Sequence, residues 1–279
     1  MEQGIIFSHI ENNVALVPAY VTEINVTWQE VKSFTIYDCP NLEKVTISNN
    51  VTTIERVAFE NCESLKEVIF EEGSKLVSID ENAFANCVSL KEINLPKSIQ
   101  YMGRSIFKGC SSLEKITTPF VGSQRYYTHQ TTNDDLAAYL FGPGYNFSQI
   151  DNVNLKELYI TDQPIYDNVT FFTCMAEKIV INGEAMLEGE SLGVNAFYGC
   201  KNLTSFVVPE GVTTIMENCF SDCENLQEIF LPSSLKYIGE NAFSNCKSLK
   251  NVVYSGESFE KIEIKDGNSA LKSAFFIDV

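Results

Sequence analysis

The sequence predicts an α/β repeat, a solenoid of about nine to ten coils whose short strands run parallel, and three observations carry that expectation. Eight of the nine cysteines (Cys39, Cys62, Cys87, Cys110, Cys174, Cys200, Cys223 and Cys246) sit in copies of one pattern, most of them 23 to 26 residues apart. A phenylalanine stands three places before the cysteine at Phe59, Phe84, Phe107, Phe171, Phe197, Phe220 and Phe243, which sets the register. Apolar residues also recur at fixed offsets after the cysteine, as in Leu226, Ile229, Leu231, Leu235 and Ile238 after Cys223. A period of this length belongs to coils that bury their apolar edges only when stacked on a neighbour.

Each element of the unit follows from its residues. The stretch Leu-x-x-Val-x-Leu reads as a short strand whose last two apolar residues, two apart, share a face. A proline such as Pro232 ends it, because it brings no N–H to the ladder. The Ala-Phe stretch before each cysteine reads as a tight helical turn. Copies recur in one direction, so the strands pair in parallel, like residue over like residue, roughly 4.8 Å apart. The column Leu42, Leu65, Leu90, Leu113, Leu155, Leu203, Leu226 and Leu249 is then the core. The repeat from Cys174 to Cys200 is degenerate, with Glu177 where leucine is expected and a strand reduced to Ile179 and Ile181.

Between Cys110 and Cys174 the period breaks: a strand at Leu155, Leu158 and Ile160 has Asn152 in place of its cysteine, and an insertion occupies about 120–150. The expected organisation is an N-terminal cap at 1–38, a solenoid at 39–254 and a C-terminal cap at 255–279.

Composition narrows the function classes. The chain of 279 residues is 44% apolar, with no apolar run near the roughly 18 residues that span a bilayer. A net charge of −17 argues against nucleic acid, whose phosphates need clustered Lys and Arg. Met1-Glu2-Gln3 lacks the basic start and apolar stretch of a signal peptide, so the expectation is either a cytosolic protein or one whose leader has been removed. Five Asn-x-Ser/Thr sites, at Asn25, Asn50, Asn146, Asn168 and Asn202, accept glycans only in a secreted eukaryotic chain. Stacked equivalent cysteines point the same way at about the rung spacing, too far apart for a disulfide, so they are expected as buried free thiols. Zinc favours paired ligands, and the nearest approach, Cys219-x-x-x-Cys223, places Cys219 in the alanine slot of the repeat. Asp134-Asp135 and Asp266-Gly267-Asn268 are calcium-like at most, and solvated loops are the simpler account. No cofactor motif stands in the chain, and none is expected. Gly189-Glu190-Ser191-Leu192-Gly193 matches the Gly-x-Ser-x-Gly of hydrolases, but it falls inside a repeat, and the only histidines are His9 and His129.

Ala-Phe-x-x-Cys-x-x-Leu-x-x-Ile-x-Leu-Pro, seen in variant form from Ala196 to Pro209, is similar to the BspA-like leucine-rich repeats of bacterial and protozoan surface proteins. Thr118-Pro119-Phe120-Val121-Gly122 with Tyr139-Leu140-Phe141-Gly142 resembles an insertion common in gut-bacterial members, and Val253-Tyr254-Ser255-Gly256 through Phe259-Glu260-Lys261-Ile262 resembles their terminal cap. The likeness covers about residues 39 to 279. It implies a right-handed leucine-rich-repeat solenoid with the parallel sheet on its concave face, displayed on a cell surface or secreted, with adhesion or binding of a host matrix protein or glycan as its role. A cytosolic interaction scaffold or a structural spacer is the alternative, and a serine hydrolase at Ser191 a more distant one.

Two places are candidates for contact with a partner. The residue between the last two apolar strand positions must point outward, and that column reads Thr46, Ile69, Asn94, Thr117, Tyr159, Val180, Val207, Phe230 and Val253. Its last five members are all apolar or aromatic, which marks a site for binding or self-association. The competing reading is that β-branched residues simply suit a strand centre, which accounts for the valines better than for Tyr159 and Phe230. The second place is the insertion, rich in rings at Phe120, Tyr126, Tyr127, Tyr139, Phe141, Tyr145 and Phe147, where packing and recognition are equal alternatives.

Overall fold

The computed structural model describes residues 5–7, 17–18, 20–124, 136–142, 155–162, 176–181 and 190–275. They fall into two compact units: Met1–Arg125 with Ala138–Leu155, and Tyr126–Ala137 with Lys156–Val279.

In unit 1 the chain winds through β1 (Ile5–Phe7), β2 (Glu23–Val26), β3 (Glu30–Val31), β4 (Lys44–Ile47), β5 (Thr53–Ile54), β6 (Glu67–Phe70), β7 (Ser78–Ile79), β8 (Glu92–Asn94), β9 (Tyr101–Met102) and β10 (Lys115–Thr118). One side carries the ladder β1-β2-β4-β6 and, separately, the pair β8-β10; a second side carries β3-β5-β7-β9. Unit 2 repeats the plan with β11 (Glu157–Ile160), β12 (Lys178–Ile181), β13 (Glu190–Leu192), β14 (Ser205–Val207), β15 (Val212–Ile215), β16 (Glu228–Leu231), β17 (Tyr237–Ile238), β18 (Asn251–Tyr254) and β19 (Glu263–Ile264). Its main side orders as β11-β12-β14-β16-β18 and its second as β13-β15-β17-β19. All these ladders are parallel and, apart from a register shift between Glu190 and Ser191 in β13, join like residue to like, as in Ile229↔Val252 and Val45↔Val68. Among the described residues eight coils carry a strand on both sides, β2/β3 through β8/β9 and β12/β13 through β18/β19, roughly the expected number. Residues 20–38, within the expected N-terminal cap, already hold strands of one of these coils, with β2 on β4 and β3 on β5.

The third side of each coil is the Ala-Phe turn. Two left-handed residues four apart bracket it, as Asn82 (φ 57°) with Asn86 (φ 59°) and Asn241 (φ 55°) with Asn245 (φ 57°), so the chain turns tightly and cannot run on as a helix. Turns of neighbouring coils join through the backbone: Phe59 N–H donates to Ala83 O at 2.8 Å, and Phe220 N–H to Ala242 O at 2.7 Å. The phenylalanines between the left-handed residues stack, Phe59 on Phe84 at 5.0 Å and Phe197 on Phe220 at 5.0 Å.

Inside, the leucine column is buried from Leu42 to Leu249. The eight described cysteines are buried free thiols. Five of them donate S–H to a carbonyl one coil back: Cys62 to Ile36 O at 3.0 Å, Cys87 to Phe59 O at 3.3 Å, and Cys110, Cys223 and Cys246 to Phe84, Phe197 and Phe220 O, each at 3.1 Å. A cysteine therefore suits this slot because it is small, apolar and still able to satisfy a buried carbonyl. Burial pushes the Cys87 and Cys219 thiols up and Cys246 up to about 12.

The register corrects one slot. Lys178 pairs with Ser205, which places Ala176 opposite Leu203; Ala176 is fully buried and Glu177 is exposed. Counting three residues on from Cys174 lands one residue too far along, because the paired positions lie one residue further apart than Cys174 and Cys200 do.

The insertion packs. Its helix α1 (Leu136–Phe141) supplies the Tyr139 and Leu140 carbonyls to the N–H groups of Ile106 and Phe107 at 3.1 and 2.7 Å, the bonds a following turn would make. Phe120, Tyr139 and Phe141 are buried there, so these three rings serve packing. At the other end, Phe259 stacks on Phe275 of α2 (Ser269–Phe275) at 3.9 Å. Asn268 is buried: its side-chain oxygen accepts Phe243 N–H at 2.9 Å and its amide donates to Gly239 O at 2.8 Å. An amide side chain thus replaces the carbonyl that the next coil would have supplied, so Asn268 is a buried end cap while Asp266 and Gly267 beside it stay exposed, as expected of a solvated loop.

Candidate binding face

Side chains alternate along a strand, so in unit 2 Leu158, Ile179, Phe206 and Ile229 point into the core and their successors point out. The parallel register then joins the outward residues into one file: Tyr159↔Val180, Val180↔Val207, Val207↔Phe230 and Phe230↔Val253. Val207 and Val253 are 38% and 39% exposed, and Tyr159, Val180 and Phe230 are half-buried between neighbours. Two residues earlier a polar file runs alongside, Glu157, Lys178, Ser205, Glu228 and Asn251. Tyr159 leans onto that file, its hydroxyl donating to Glu157 Oε2 at 2.9 Å, and the Asn251 amide donates to Glu228. The result is a preformed apolar strip with a hydrogen-bonded polar margin.

Unit 1 offers different chemistry at the same strand positions. Asn25, Thr46 and Ile69 are in register, as are Asn94 and Thr117. The polar margin there is ion-paired between strands, Lys44 to Glu67 at 2.8 Å and Lys115 to Glu92 at 3.1 Å. A cleft of about 420 Å³ opens beside Ile69 and Asn94, where β6 and β8 share no ladder. It escaped the sequence reading. Its only sequence signal is coil length, since Cys62 to Cys87 spans 25 residues and Cys87 to Cys110 spans 23.

Of the other candidates, Tyr126 and Tyr127 lie outside the described residues, as do His9, His129 and Asp134-Asp135. Ser191 sits within β13, paired with Thr214 and followed by a turn, so it lacks the sharp strand-to-helix corner that exposes a hydrolase nucleophile. Among the described residues no group of three or more His, Cys, Asp or Glu side chains is placed to hold a metal ion, and no helix is long and apolar enough to cross a membrane.

A family model for the BspA type leucine rich repeat region matches residues 29–130 and 164–266, with six copies. The chain belongs to the BspA-type leucine-rich-repeat family. Its repeat fold is that of a protein-interaction module. Solved structures similar to this BspA-type chain include a leucine-rich-repeat protein of T. pallidum (20% identity, 85% of this chain and 81% of the other, TM-score 0.36). A leucine-rich cell surface protein of Faecalibacterium prausnitzii is 22% identical over 87% of this chain and 82% of its own, with a TM-score of 0.30. An internalin of Listeria monocytogenes is 15% identical over 93% and 73%, with a TM-score of 0.40. No curated protein matches the chain.

Proposed function

We propose that this protein is a non-catalytic binding module that engages a protein partner through the outward file of unit 2, acting at a cell surface in adhesion to a host matrix protein or another cell. The observation that carries the reading is the unbroken register of Tyr159, Val180, Val207, Phe230 and Val253, five apolar residues side by side on the outward face, two exposed and three half-buried, with a polar margin along one edge. Contiguous exposed apolar surface of this kind favours contact, and buried aromatic anchors dominate the energetics of most interfaces. The surface location rests on the resemblance to BspA-like surface proteins.

The test sets the intact chain against purified extracellular-matrix proteins immobilised on a sensor. Tyr159→Ala combined with Phe230→Ala should weaken any saturable interaction by about 30-fold, the effect of losing roughly 2 kcal/mol at an anchor. Thermal stability should barely change, because both rings lie outside the core. Unaltered affinity in the double variant refutes the assignment of the site. Biotinylation of intact source cells tests the location, and a chain that stays unlabelled while surface proteins react would place it inside.

A further inference from the structure

The outward face of unit 2 has an internal symmetry about the coil of β14. From Val207 at the centre of the apolar file, Val180 and Phe230 stand one coil away on opposite sides, and Tyr159 and Val253 two coils away. At each step a ring on one side is matched by a valine on the other. The polar margin has the same property: Ser205 is central, Lys178 and Glu228 stand one coil away, and Glu157 and Asn251 two coils away. Reversing the order of the coils therefore lays ring on valine, lysine on glutamate and carboxylate on amide.

The two central charges of that margin find no counter-ion within the chain. At the same strand positions in unit 1, Lys44 reaches Glu67 at 2.8 Å and Lys115 reaches Glu92 at 3.1 Å. Among the described residues, by contrast, Lys178 Nζ has no acidic partner, and the Glu228 carboxylate accepts only the Asn251 amide. Lys178 and Glu228 cannot pair with each other, because β14 lies between their strands and holds them two rungs, roughly 10 Å, apart. The face is also open to a flat partner. A solenoid curves when one side of its coils is spaced more widely than another, and here all three sides are hydrogen-bonded from coil to coil: β14 to β16, β15 to β17, and the turns through Phe220 N–H to Ala242 O at 2.7 Å and Asp222 N–H to Ser244 O at 2.9 Å.

We propose, resting on the reading of the outward file as a contact face, that the partner of this face is a second copy of the chain, joined across a two-fold axis that runs along β14 past Ser205 and Val207. The axis sets Phe230 of one copy on Val180 of the other, Tyr159 on Val253, and Lys178 on Glu228 twice, as an isologous interface requires. Sheets pack face to face roughly 10 Å apart, a gap that an extended lysine and glutamate span together. A like-charged match, Lys156 with Lys250, falls outside the margin, where both side chains are exposed and screened. A partner of unrelated sequence has to supply this alternation of rings and charges, whereas a second copy supplies it by symmetry. The strip is about 19 Å long, which places the interface in the small class that buries less than about 1,200 Å² and makes the association weak and reversible.

Sedimentation equilibrium of the full chain from about 5 to about 500 μM, a span that brackets weak contacts, should show exchange between monomer and dimer. Val207→Glu, which sets two carboxylates face to face on the axis, should abolish the dimer, while Thr46→Glu on the outward file of unit 1 should leave it intact. Lys178→Glu and Glu228→Lys should each weaken it by about tenfold or more, since each opposes like charges twice. Mixed in equal amounts, these two variants should recover dimers, because each offers the charges that the other needs. Thermal melting reports whether each variant is folded, and if Val207→Glu melts early the charge-swapped mixture alone decides. A chain that stays monomeric throughout overturns the dimer, and the contact face still stands if Tyr159→Ala with Phe230→Ala weakens binding to a matrix protein. A dimer indifferent to Val207→Glu in its folded state, or a mixture that associates no better than either charge variant alone, also overturns it. A dimer that passes these tests while no matrix protein binds upholds the self-pairing and removes the matrix protein from the functional reading.

Discussion

The two units share one backbone plan and differ in what they show to solvent. In unit 2 the outward file is Tyr159, Val180, Val207, Phe230 and Val253, and its margin is linked by hydrogen bonds such as Tyr159 to Glu157. In unit 1 the described members run Asn25, Thr46 and Ile69, then Asn94 and Thr117, and lysine–glutamate pairs bridge the strands beside them. The inward file does not distinguish them: Val45, Ile93, Ile179 and Ile229 are all buried. The lesson is that a parallel ladder constrains every second side chain and leaves the other free, so the exposed face of one unit can diverge while its core stays constant.

Equivalent core substitutions test that claim most severely. Leu65 and Leu226 are both fully buried, so Leu65→Ala and Leu226→Ala should each cost roughly 2–5 kcal/mol in denaturant unfolding. Costs that match would confine the difference between the units to their faces, and a several-fold disparity would break the comparison.

The thiols give the next test. Burial raises Cys87 in unit 1 and Cys219 and Cys246 in unit 2, while unfolded thiols titrate near 8.5 to 9. A folded pKa above the unfolded one means that the stabilisation is complete below about pH 8.5 and fades as pH rises toward the folded value, about 12 for Cys246. Stability measured under reducing conditions should therefore fall above pH 9, by up to about 1.4 kcal/mol per pH unit for each such thiol. A flat profile from pH 8 to 10.5 would mean that the thiols ionise as readily in the fold as in the open chain.

The smallest expected effect concerns the turns. Unit 2 places asparagine at the first left-handed position of each described turn, Asn195, Asn218 and Asn241, whereas unit 1 uses Phe34, Val57, Asn82 and Ser105. Phe34 is 57% exposed with φ 58°, so Phe34→Asn removes strain while losing little burial and should raise stability by about 1 kcal/mol. A loss instead would show that the edge contact between Phe34 and Tyr37, at 5.7 Å, outweighs the strain.

Much of the candidate face was legible beforehand. Phe230 could be assigned to the file because the cysteine and phenylalanine spacings set its register, and Tyr159 because Leu155, Leu158 and Ile160 repeat the strand pattern although Asn152 stands in the cysteine slot; in a strand, register decides direction. Legibility failed where length varied. Ala176 was missed because the degenerate coil is longer than its cysteine spacing implies, and the cleft beside Phe70 because two added residues say nothing about which way a loop will lean. Asn268 was misjudged because a Gly-Asn pair in an acidic loop looks the same whether solvated or inserted beneath the last coil.

The sequence alone determined the period, the parallel pairing and the alternation of core and surface, since each depends only on residue spacing and on the two-residue repeat of a strand. Tertiary structure decided where the stack opens, which rings of the insertion are buried and how the final coil is closed. Those outcomes depend on competition between neighbouring coils for the same hydrogen bonds and space, and no residue carries that information by itself.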